Sequence, residues 1–72
     1  MIKLGNYYLT KTLTYDHYSG WIVMPTKEKQ KREYLCYVIK GGNDLTTFEK
    51  MNMPFYDHEL IELSPVTKEL YE

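Results

Sequence analysis

The eight residues Glu33–Lys40, EYLCYVIK, constrain this chain more than any other segment. Aromatic and β-branched side chains fall at successive positions there, so a strand made from them is apolar on both faces. Such a strand needs neighbours on either side, and the segment is expected to be the central strand of a small sheet. The composition agrees. The chain has no alanine, the best helix former, while Val, Ile, Thr, Tyr, Phe and Trp supply 25 of its 72 residues. At this length one domain, residues 1–72, is expected, with a core too small to hold a deep substrate cavity.

The remaining segments extend the β pattern. Asn6–Thr14 alternates, predicting a strand that turns Tyr7, Leu9 and Leu13 inward and Tyr8, Thr10, Thr12 and Thr14 outward. Asp16–Gly20 is rich in turn formers. Trp21–Met24 is a short apolar run that places Trp21 in the core, and Pro25, lacking an N–H, is expected to end its pairing. Residues 26–32, TKEKQKR, hold no apolar side chain and read as a solvated hairpin loop or its exposed base. Gly41–Asp44 has the residues of a tight turn. Leu45–Glu49 then reads as a strand in preference to a helix, which Thr46 and Glu49 would otherwise cap. Phe55–Glu59 is expected to make one helical turn and Leu60–Leu63 a last short strand, with a further turn starting at Ser64-Pro65.

Five short strands, tight connections and one helical turn before the last strand predict a mainly β fold, an SH3-like small five-stranded barrel. The order of a first strand, Gly20-Trp21-Ile22-Val23, a long loop, Tyr34–Ile39, a Gly-Gly turn and Phe55–Leu63 resembles small prophage-encoded SH3-like barrel proteins of Gram-positive bacteria. The resemblance covers residues 6–65 and implies a phage or prophage accessory protein acting on a host or phage protein. It implies no catalytic residue.

Motifs that carry chemistry are few. The repeated Tyr15-Asp16-His17 and Tyr56-Asp57-His58, with Cys36, offer metal-ligand types, but without the paired spacing of a metal site. Both tripeptides fall at turns, where Asp and His serve local hydrogen bonds. Cys36 sits inside the most apolar strand, where a thiol behaves as a small hydrophobe rather than a nucleophile. No phosphate-cradling glycine loop or nucleophile elbow occurs, so a non-enzymatic protein without cofactor or metal is expected. One cysteine allows no internal disulfide, no apolar run is long enough to span a bilayer, and Met1–Asn6 lacks a signal's apolar region. Cytoplasmic residence follows as the expectation.

Two surfaces remain as candidates for function. Eight tyrosines exceed what so small a core can bury with satisfied hydroxyls, and Tyr and Met are favoured at protein interfaces. Tyr18, Tyr34, Tyr37, Met51, Met53 and Phe55 are therefore the expected protein-binding surface, for another protein or a second copy. The alternative is a nucleic-acid-binding barrel. Net charge is −1, yet residues 1–40 sum to +4 and residues 41–72 to −5, and Lys27, Lys29, Lys31 and Arg32 concentrate cations beside tyrosines.

Overall fold

The computed structural model describes residues 2–12, 18–42 and 48–63. They form β1 (Tyr8–Thr10), β2 (Ile22–Gln30), β3 (Glu33–Lys40), β4 (Asn52–Tyr56), a 3₁₀ turn (Asp57–Glu59) and β5 (Leu60–Glu62). All strand pairs are antiparallel, in one sheet of order β4-β3-β2-β1-β5. Five antiparallel strands with one helical turn before the last are the mainly β fold that the sequence predicts. Tyr8, Val23, Cys36, Val38, Phe55 and Leu60 reach one core from all five strands, so the sheet curves around it, and Trp21 joins them.

β3 has the predicted bounds, but β2 rather than β3 lies in the middle of the sheet. Pro25 does not end the pairing. It lies within β2 opposite Cys36, next to a bulge. Its backbone points away from β3: the Pro25 carbonyl accepts the Gly5 N–H at 2.9 Å, so the missing N–H removes no bond from the β2–β3 ladder. β2 thus continues through Thr26–Gln30, which form the exposed base of the hairpin rather than its loop. These five residues are all exposed, and Lys31-Arg32 alone turn the chain into β3, with Arg32 at φ 67°.

β1 is shorter than expected and faces the other way. Tyr8, Thr10 and Thr12 are buried, while Tyr7 and Leu9 are half-buried. Hydrogen bonds explain the inversion. The Thr10 hydroxyl accepts the Trp21 N–H at 2.9 Å and donates to the Tyr18 carbonyl at 2.6 Å. The Ser19 hydroxyl accepts the Thr12 N–H at 2.8 Å, and the Tyr8 hydroxyl accepts the Lys3 N–H at 2.9 Å. Inward threonines close the β1–β2 connection in a way that leucine could not, and their polar atoms are satisfied when buried.

The fourth strand is displaced from its predicted place. Phe48 lies outside any strand and Glu49-Lys50 form a turn, so β4 begins only at Asn52. Val38 meets two residues there: its carbonyl accepts the Lys50 N–H at 2.8 Å and its N–H donates to the Met51 carbonyl at 2.9 Å. That bulge, with Lys50 at φ 68°, sets the register of β4. Phe48 instead stacks on the Trp21 ring at 5.0 Å between centroids, with Tyr18 edge-on to both rings. Gly41 permits the packing, since a Cβ there would lie 2.6 Å from the indole. Residues 43–47, half of the predicted Gly41–Asp44 turn and most of the Leu45–Glu49 strand, lie outside the described residues, as does the turn expected after Ser64-Pro65.

Candidate interaction surfaces

The helical turn expected at Phe55–Glu59 is confined to Asp57–Glu59 and is held at both ends. The Tyr56 N–H donates to the Glu59 carboxylate at 2.8 Å, the Asp57 N–H to the Arg32 carbonyl at 2.8 Å, and the Lys11 N–H to the Glu59 carbonyl at 2.8 Å. Those bonds tie the turn to the β2–β3 hairpin on one side and to the end of β1 on the other. A recess lies on each flank.

One recess, of about 300 Å³, is lined by Thr12, Tyr18, Glu33, Met53, Pro54, Phe55, Tyr56 and Glu59. It gathers three of the expected contact residues, Tyr18, Met53 and Phe55. Phe55 forms its floor: at 3% exposure, packed edge-on against Trp21, it belongs to the core and not to the contact surface. Tyr18 and Met53 are half-buried, and Tyr56, absent from the expected set, is 44% exposed at the rim.

The other recess is a wider cleft of about 560 Å³ between Ile2, Tyr8, Tyr34, Asp57, His58, Leu60 and Glu62. Tyr34 is half-buried, and its phenol is raised above its ordinary value by burial and by the hydrogen-bonded Glu28 carboxylate, with Asp57 adding to the effect. His58 is exposed, stacked on Tyr56 at 5.7 Å, with Nδ1 3.7 Å from Asp57.

The two remaining expected contact residues lie apart from both recesses. Met51 is 48% exposed beside the Lys50 bulge. Tyr37 is half-buried on the face of the sheet opposite the core. On β3, Cys36 and Val38 point into the core, so Leu35 and Tyr37 point out, with Met24 paired to Tyr37. The register carries that apolar face onward through Ile22 on β2, Leu9 on β1 and Ile61 on β5. Ile61 is 46% exposed, and among the described residues no helix or second sheet lies over this face. Sequence reading saw β3 as apolar on both faces but missed Leu9, Met24 and Ile61, because it assigned β1 the opposite phase and ended β2 at Pro25.

Lys27, Lys29, Lys31 and Arg32 are exposed on the arm formed by Thr26–Gln30 and its turn, and none forms an ion pair with another described residue. Among possible metal ligands, His17 lies outside the described residues, and no three His, Cys, Asp or Glu side chains converge among those described. Cys36 is fully buried, and burial pushes its thiol up to about 12. No helix among the described residues is long and apolar enough to cross a membrane. Comparison of the chain with protein-family models, with curated proteins and with solved structures finds no match.

Proposed function

We propose that this chain is a non-enzymatic protein-interaction module that meets its partner through the outer face of its sheet. The observation that carries the reading is an apolar stripe across four strands, in which Ile61 is exposed, Leu9, Met24 and Tyr37 are half-buried and Ile22 is buried, with no helix or second sheet over it among the described residues. Contiguous apolar faces of this kind mark interaction sites, because isolated exposed hydrophobes are common but continuous patches are not. The sealed Cys36 thiol favours a binder over a catalyst, since a nucleophile needs access and a lowered pKa. An SH3-like barrel acting in the cytoplasm on a host or phage protein completes the proposal and rests on the family resemblance.

A specific observation favours a second reading, nucleic-acid binding: the four exposed cations of the arm, which form no ion pair with another described residue. One capture experiment from host lysate separates the two. With Tyr37→Ser/Ile61→Lys, the captured protein is expected to be lost, and with Lys27, Lys29, Lys31 and Arg32 all replaced by Ser it is expected to be retained. A captured nucleic acid that is lost with the serine variant and kept with the sheet variant overturns the proposal. So does a log–log salt slope of about −3, the signature of four phosphate contacts on a single strand.

A further inference from the structure

The arm and the wider cleft are adjacent and opposite in character. The arm turns at Lys31-Arg32, and the Arg32 carbonyl receives the Asp57 N–H at the edge of the cleft. Yet among the described residues no lysine or arginine lines the cleft, and no cation of the arm pairs with Asp57 or Glu62. The cleft itself is built to receive a cation. Half-buried Tyr34 supplies aromatic surface, Asp57 and Glu62 supply carboxylates, and Glu28 lies across the strands from Tyr34. A guanidinium or ammonium group seated there gains charge-assisted hydrogen bonds and a ring face together.

We propose that the arm of a second copy fills this cleft, and reciprocally, giving a two-fold dimer in which Lys31 and Arg32 of each protomer lie against Tyr34, Asp57 and Glu62 of the other. Charge complementarity selects the occupant: the arm carries four cations against one acid, Glu28, and the cleft presents carboxylates with no lysine or arginine among its described lining residues. Adjacency selects the symmetry. Tip and cleft sit side by side on one surface, so a single two-fold axis between them brings each tip over the other cleft and closes the assembly at two. The contact uses neither the outer sheet face nor the core, and it stands or falls independently of the proposed function.

Sedimentation equilibrium tests it directly. In 50 mM NaCl the chain is expected to associate to twice its 8.7 kDa mass, and in 500 mM NaCl the dimer is expected to weaken at least about tenfold, as exposed and partly exposed charge contacts do. Lys29→Glu/Lys31→Glu/Arg32→Glu and Asp57→Lys/Glu62→Lys are each expected to be monomeric alone. Mixed in equal amounts they are expected to form a heterodimer, because every contact then pairs opposite charges again. Circular dichroism of each variant establishes folding, and Glu62→Lys alone, at an exposed position on β5, carries the test if the double cleft variant does not fold. A wild-type chain that stays monomeric at millimolar concentration in 50 mM NaCl overturns the proposal. So do reversed variants that dimerise like the wild type, or a mixture that stays monomeric.

Discussion

Cys36 shows how a single side chain ties the core to pH. Its thiol is fully buried between β2 and β4 partners, Pro25 and Met53, and burial raises it from 9.0 to about 12. A raised value means that folding favours the neutral thiol. The stability this gives is complete below pH 9 and is lost as pH rises toward 12. Melting curves are expected to show the midpoint falling across that interval, and Cys36→Ala is expected to fall less steeply over the same range. At pH 8 a thiol reagent should modify the native chain only as fast as it opens. A native thiol that reacts at the rate of a free cysteine would show that the core is not closed over it. The apolar setting of Cys36 was legible in the sequence, because five of its six nearest neighbours in EYLCYVI are aromatic or aliphatic. The inward turn of Thr10 and Thr12 was not: period-2 patterning counts a threonine as polar and cannot see that its hydroxyl will cap the Trp21 N–H and the Tyr18 carbonyl.

Elements were legible where the pattern was long and illegible where a bulge intervened. β3 and β5 fall where alternation and flanking turns place them, whereas β2 runs on past Pro25 and β4 starts late, each beside a shift in register. A bulge inserts a residue without leaving a compositional mark unless it uses glycine, and here lysine occupies it. Lys50 at φ 68° holds a backbone conformation that costs an L-residue roughly 1 kcal/mol. Lys50→Gly is therefore expected to stabilise the fold by about 0.5–1 kcal/mol, raising the melting temperature by a few degrees. A drop in melting temperature would show that the lysine side chain contributes more than its backbone costs. The candidate surfaces divided in the same way. Tyr18 and Met53 were legible as aromatic and flexible contact types, but Asp57 stood out in the sequence only within a turn tripeptide and Glu62 only as part of a net charge.

The molecule as a whole must keep its sheet from growing, since β4 and β5 end the hydrogen-bonded order. Just before β4, Met51 directs its carbonyl to Val38, so Asn52, Pro54 and Tyr56 point their backbone groups outward. Pro54 has no N–H to offer, and the Tyr56 N–H is already taken by Glu59. This edge is closed to strand addition by two local features. Pro54→Thr restores one donor and is expected to raise aggregation at high concentration, read by light scattering, with little change in melting temperature. Unchanged scattering would mean that the edge is guarded elsewhere. The far half of β2 has a different freedom. Thr26–Gln30 pair with β3 but not with β1, whose pairing with β2 stops at Val23, and all five side chains are exposed. Residues with one neighbouring strand and no duty in the core can be rewritten while the fold stays put, so a lineage carrying this chain could change what it grips by mutating that stretch alone.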